Sequence, residues 1–233
     1  MLKAILLGAL LVAVPAGAHA VPRFVSASYN VTLNGARIAV LNERFEATDG
    51  TYHITSDTNA VGAFALFQKR SLKLVSNGRL TKSGLQPHRF EGTRNYNDSR
   101  QVAAEFDWAS TQLTLKFDGK TETVALPAGA QDRLSVMYQF MFFGYGHMKQ
   151  LDVAMTNGRK LDHYRYTISP GVELDTPLGR MTTLHLVKQH QPGDTITEIW
   201  IAPQHNFLPV KMLVVEHGGA RYEQIITKLD FKS

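Results

Sequence analysis

Cysteine is absent from the 233 residues. Without it no disulfide can form and no acylated cysteine can anchor the chain to a membrane, so stability has to come from a buried core. Catalytic signatures are lacking as well. There is no G-x-S-x-G elbow, no H-E-x-x-H pair and no glycine-rich loop between a strand and a helix. An excess of one charge is also missing: 25 Lys and Arg stand against 20 Asp and Glu, spread along the chain. That balance is far from the basic footprint of a nucleic-acid binder.

The N-terminus carries the one strongly apolar run. Lys3 precedes the apolar stretch Ala4–Val14, Pro15 and Gly17 break it, and Ala18-His19-Ala20 has the small-x-small pattern of a signal-peptidase site. A transmembrane helix needs about 20 apolar residues, so this stretch is short for a span. Residues 1–20 therefore read as a cleavable signal peptide and 21–233 as one β-rich domain exported to the periplasm of a Gram-negative-type envelope. Removing Lys3 with the signal leaves 24 basic and 20 acidic residues, a net charge of +4. No membrane span is expected after cleavage.

Turn residues set the rhythm of that domain. Asn34-Gly35, Asp49-Gly50, Asn77-Gly78, Asp118-Gly119, Asn157-Gly158 and Gly218-Gly219 are pairs that accept the positive φ of tight hairpins. Between them apolar and polar residues alternate, as in Val25, Ala27, Tyr29, Val31 and Leu33, or Leu113, Leu115 and Phe117. A period of two with polar residues between means strands with one wet face. Strands are predicted near 25–33, 36–47, 51–58, 69–80, 87–96, 100–108, 112–117, 120–126, 149–156, 160–169, 180–190, 195–202, 209–217 and 220–231. From residue 196 to 215 apolar residues occupy both faces, which implies strands covered on each side. So many strands cannot stay flat; twist makes them curl, split or close.

One segment breaks the rhythm. Asp132 to Phe143 reads as a helix, apolar almost all round, with Asp132 as N-cap and Gly144 at the C′ position. The fold expected is mostly β: a strongly curved antiparallel sheet or open barrel, with this apolar helix packed on the concave side.

Three motifs carry a resemblance. Asp132-x-x-Ser135-x-x-Tyr138, Asp175-Thr176-Pro177-Leu178-Gly179, and Glu198-Ile199-Trp200-Ile201-Ala202 with Leu208-Pro209-Val210 resemble the domain-of-unknown-function family 3108 of exported bacterial proteins. The resemblance implies a β-rich exported domain and supplies no catalytic residues. Asp132, Ser135, Tyr138, Phe140, Thr176, Pro177, Gly179, Trp200 and Pro209 are thus family-motif or cavity-lining candidates, each with an ordinary structural account beside it. Ser135 and Tyr138 suit a packed helix, Trp200 a strand core, and Thr176-Pro177-x-Gly179 a turn.

Ligand chemistry is sparse. His185 and His190 are five apart on a predicted strand and so lie on opposite faces, and Glu43 and Glu46 likewise point apart. No metal, cofactor or catalytic residue is predicted. Two classes of function remain. One is a binding module that holds a lipid or other apolar or amphipathic envelope molecule in the curved sheet. The other is a scaffold protein of the envelope that meets another protein. A void between helix and sheet discriminates them.

Overall fold

The computed structural model describes residues 22–67, 71–94 and 101–232, so the predicted signal segment 1–20 lies outside the described residues. The strands are β1 (Phe24–Leu33), β2 (Ala36–Thr48), β3 (Thr51–Ala60), β4 (Ser71–Thr81), β5 (Gly84–Arg94), β6 (Val102–Asp107), β7 (Gln112–Phe117), β8 (Lys120–Ala125), β9 (Gln131–Asp132), β10 (Gln150–Thr156), β11 (Leu161–Thr176), β12 (Gly179–Lys188), β13 (Ile196–Ala202), β14 (Leu208–Val215) and β15 (Arg221–Lys232). Short helices α1 (Ala63–Phe67) and α2 (Ser135–Gln139) and two 3-10 turns (Phe140–Phe142, Pro203–His205) complete the described elements.

All fifteen strands join one sheet in the order β8-β7-β6-β5-β4-β3-β2-β1-β15-β14-β13-β12-β11-β10-β9. It is a meander in which β1 and β15, the first and last described strands, pair antiparallel at its centre. The sheet is large, curved and unclosed. Its curl brings the far end back: Gln131 of β9 donates to the Leu85 carbonyl of β5 at 2.8 Å, and Arg159 after β10 pairs with Asp118 after β7.

Turn chemistry explains most of the boundaries. Asn34 and Gly35 take φ of 48° and 84°, Asp49 and Gly50 take 51° and 74°, and Asp118 and Gly119 take 49° and 73°, the paired left-handed geometry of a two-residue hairpin. Asn77-Gly78 departs from the expectation, because it lies inside β4 and forms no turn. The register with β5 shifts there, and Gly78 faces Pro87. Proline supplies no ladder N–H, and a Cβ on residue 78 would collide with the Gln86 carbonyl. The glycine thus admits a close backbone approach at a bulge. A second bulge, between Ser169 and Val172, lets β11 run on past Pro170-Gly171 to Thr176 instead of stopping at residue 169.

The predicted helix is much shorter than Asp132–Phe143. Asp132 is a strand residue paired with Thr156 of β10, and α2 covers only Ser135–Gln139 before tightening into the 3-10 turn. The Asp132 carboxylate still accepts the N–H groups of Leu134 and Ser135, at 2.9 and 2.8 Å, so its local capping chemistry survives. Phe143 is extended at φ −79° and ψ 135°, and Gly144 does not take the left-handed C′ conformation. Side-chain ties to the sheet, rather than helix length, hold this segment. Gln139 accepts from the Leu85 N–H at 2.7 Å and donates to the Ser83 carbonyl at 3.0 Å, and Tyr145 donates to the Phe140 carbonyl.

Two buried clusters result. One collects Val25, Tyr29, Phe45, Ile54, Phe90, Leu113 and Tyr138, and the other Phe140, Tyr145, Tyr166, Leu186, Ile199 and Ile201. The apolar double face of β13 is divided between them. Ile199 and Ile201 belong to one cluster, while Trp200 and Ala202 belong to the other.

Candidate functional site

A hollow of about 800 Å³ opens inside the curve. Its walls are Val31, Leu41, Leu72 and Leu74 from one half of the sheet, and Met155, Ile199, Met212 and Val214 from the other. Leu134 and Met137, from the segment that breaks the β rhythm, complete the apolar lining. Lys160, Asp162, His163, Lys188 and Asp194 also border it.

Amid the apolar wall sits Glu43, with 8% of its surface exposed. Strand parity places it there: on β2 it follows Leu41 and precedes Phe45 on the inward face, while Glu46 turns outward. Tyr138 donates its hydroxyl to Glu43 Oε2 at 3.3 Å, and Ser56, directly opposite on β3, offers another. Burial pushes the carboxyl up to about 7; the two hydroxyls and the charge of Arg133 pull the other way without cancelling it. Glu43 therefore exchanges its proton near neutral pH, as general acids and bases do. Tyr29, raised well above the ordinary tyrosine range by burial, uses its hydroxyl to bond the Pro209 carbonyl at 3.0 Å.

Arg133 stands in the open space of the hollow. Its side chain is exposed to that space while the walls surround it. Its pKa is drawn down, first by this enclosure and then by the charge of Arg94, with Asp132 and Glu43 partly compensating.

The motif Asp132-x-x-Ser135-x-x-Tyr138 proves to be a set of anchors. Asp132 is fully buried and accepts from Ser76 Oγ of β4 at 2.6 Å, and Ser76 in turn lies 3.1 Å from the Tyr52 hydroxyl. Burial pushes the Asp132 carboxyl up, and these hydrogen bonds oppose the shift. The Ser135 hydroxyl accepts the Asp132 N–H at 3.0 Å. Tyr138 stacks on Phe45 with ring centroids 5.1 Å apart, a contact worth about 0.5–1.5 kcal/mol beyond its buried area.

The other candidates are dispersed. Phe140 is buried in the cluster with Ile199 and Ile201 and does not border the hollow. Thr176, Pro177 and Gly179 form the exposed β11–β12 hairpin tip, where Thr176 Oγ1 donates to the Gly179 carbonyl at 2.8 Å. Trp200 lies on the opposite face of β13 from Ile199, stacked on His185 at 4.3 Å, with Lys211 over its ring. Only Pro209 of the nine borders the hollow. Of the two histidines, His185 is bonded to Glu198 at 2.8 Å and His190 lies beyond the end of β12. Among the described residues no group of three or more His, Cys, Asp and Glu could hold a metal, and no helix is long and apolar enough to cross a membrane.

A curled, unclosed antiparallel sheet around one large hollow defines a class of β-barrel-like protein. Within it, the chain belongs to the family "Protein of unknown function (DUF3108)", whose model matches residues 28–224. No curated protein matches it in sequence. Among solved structures it resembles the β-barrel-like protein of domain of unknown function DUF1849 from Brucella abortus, with 12% identity and a TM-score of 0.57, covering 91% of this chain and 99% of that one. That likeness concerns the fold alone. A domain from Vibrio parahaemolyticus described as an outer membrane lipoprotein-sorting protein aligns over 90% of this chain and 86% of its own, with 9% identity. Its TM-score of 0.27 is too low to indicate a shared fold.

Proposed function

We propose that the protein binds an apolar or amphipathic molecule of the cell envelope in the hollow of its curved sheet, without catalysing a reaction. It does so in the periplasm, after removal of residues 1–20. The hollow itself carries this reading. Its volume of about 800 Å³ falls within the roughly 300–1,000 Å³ typical of small-molecule sites, and its lining joins aliphatic, Met and Tyr side chains to as many polar and charged ones, as an amphipathic ligand requires. The α2 segment, held inside the curve by Asp132, Tyr138 and Gln139, forms the floor and keeps the space from collapsing.

Titration with N-phenyl-1-naphthylamine, an uncharged probe that fluoresces in apolar surroundings, tests the proposal. The purified mature protein should take up one probe saturably. Thr197→Trp, which places an indole in the hollow, should abolish uptake while leaving the unfolding midpoint within reach of the wild type. Absence of saturable uptake by the wild type would leave the scaffold role as the better account. Intact mass of the periplasmic fraction should correspond to a chain beginning at Val21.

A further inference from the structure

A smaller recess of about 240 Å³ adjoins the hollow, and it is basic. Leu72, Leu74, Phe90 and Val102 form its apolar side; Arg94, Arg133 and Arg159 form the other. None of the described residues lining it is acidic. Arg159 is fixed in the wall by its pairing with Asp118. Arg133 differs. Its backbone N–H is bonded to the Thr156 carbonyl at 2.9 Å, but its guanidinium donates no hydrogen bond to any described residue. Because Arg133 borders both the recess and the hollow, the two spaces meet at its side chain.

A guanidinium offers five N–H donors in a planar fork that matches a carboxylate or phosphate, and an enclosed one without a partner is unfavourable. Its neighbour Arg94 adds like charge, which Asp132 and Glu43 offset in part and an incoming anion relieves further. We propose that this recess takes the anionic head group of an acidic amphiphile whose apolar tail occupies the hollow, with Arg133 as the head-group ligand and Arg94 supporting it. The shared chemistry is one carboxylate, sulfonate or phosphate head on an apolar tail. The inference rests on the reading of the hollow as an apolar binding site.

Competition against bound N-phenyl-1-naphthylamine, at pH 7.5 and low salt, tests it with three competitors: decanoate, decanol and inorganic phosphate. Decanoate should displace the probe at a concentration about 10-fold or more below decanol, since hydrogen bonds to a charged group are the strong ones and tenfold corresponds to about 1.4 kcal/mol. Arg133→Gln should remove that advantage and leave decanol and probe binding within about 2-fold of the wild type. Arg94→Gln, an exposed position, should reduce it partly and serves if Arg133→Gln fails to fold. Inorganic phosphate alone should not displace the probe; displacement by it would mark an anion site without a tail and overturn the amphiphile. Equal potency of decanoate and decanol in the wild type, with probe uptake intact, would overturn the head-group assignment and spare the hollow. Failure of the wild type to take up probe at all would sink both.

Discussion

Glu43→Gln provides the sharpest test of the hollow's polar floor. The carboxyl titrates at about 7 in the folded protein against an ordinary value of 4.5. The raised value means that the folded state holds its proton where the unfolded chain has already released it. Each pH unit in that window therefore lowers stability by about 1.4 kcal/mol, and the whole window by roughly 3 kcal/mol. The stability is present in full below pH 4.5, is lost as pH rises towards 7, and changes no further above it. Gln keeps the shape and an acceptor for Tyr138 and Ser56 but cannot titrate. Urea unfolding followed by circular dichroism at intervals from pH 4.5 to 8 gives both stability curves, with equal m-values confirming a common unfolded state. Subtracting them removes every other titrating group, Asp132 and the exposed ion-paired carboxylates included. The difference should grow in favour of Gln by roughly 3 kcal/mol across the window. Parallel curves would mean that Glu43 is hydrated and ordinary, and that the hollow's floor is wetter than its packing indicates.

Phe140→Ala should cost about 3–5 kcal/mol in the same unfolding assay, the range for a buried aromatic, although Phe140 supports the floor from behind and does not border the hollow. Gly78→Ala should destabilise by about 1–3 kcal/mol, because the new Cβ meets the Gln86 backbone and the bulge must shift. Gly218→Ala, where neither a left-handed φ nor a neighbour opposes the new methyl, is the control. Tyr29→Phe should cost about 1–3 kcal/mol by leaving the Pro209 carbonyl without its buried donor, measured as a shift in urea midpoint at constant m. Uptake of an anilinonaphthalene sulfonate, whose charge does not titrate, should strengthen several-fold from pH 8 to pH 6 as Glu43 becomes neutral beside Arg133. Glu43→Gln should abolish that dependence.

Much of the sheet was legible because its signals are local. Alternation and the Asn-Gly and Asp-Gly pairs placed strand after strand within a few residues, since positive φ and a period of two are properties of short stretches of chain. Where a residue serves a distant one, local rules misled. Asn77-Gly78 looks like a turn, but its glycine serves Pro87 across the bulge. Asp132 to Phe143 looks like a helix, but its polar residues are spent on the sheet: Asp132 on Ser76, Tyr138 on Glu43 and Gln139 on β5. The motif residues were visible as a pattern, and in the structure Asp132, Ser135 and Tyr138 tie this segment to the sheet and to itself by hydrogen bonds. The sequence sets Glu43 only against Glu46, and Arg133 fills an unspecified position of the Asp132-x-x-Ser135 motif. One signal existed for Glu43, a carboxylate in the inward register between Leu41 and Phe45. Arg133 had none, since only the curl of the sheet decides what lies in front of it.

The polar groups of the hollow are not what stability alone would select. A buried carboxyl held near pH 7 opposes folding, and an apolar residue at 43 would pack the same space more favourably, while the Arg133 guanidinium beside it stands in the open hollow without a hydrogen-bonding partner among the described residues. Nor do the two neutralise each other, for no ion pair joins them and each remains shifted against its charged form. The surrounding structure nonetheless fixes them in place. Tyr138 and Ser56 hold Glu43 against the wall, while Asp132, its immediate neighbour, locks the backbone of Arg133 between β4 and β10. Local choices that conflict with folding, yet are held by a consistent framework, concentrate where a protein meets its ligand. In this sheet Glu43 and Arg133 both border one hollow, beside apolar wall, which is what the proposed acidic amphiphile requires.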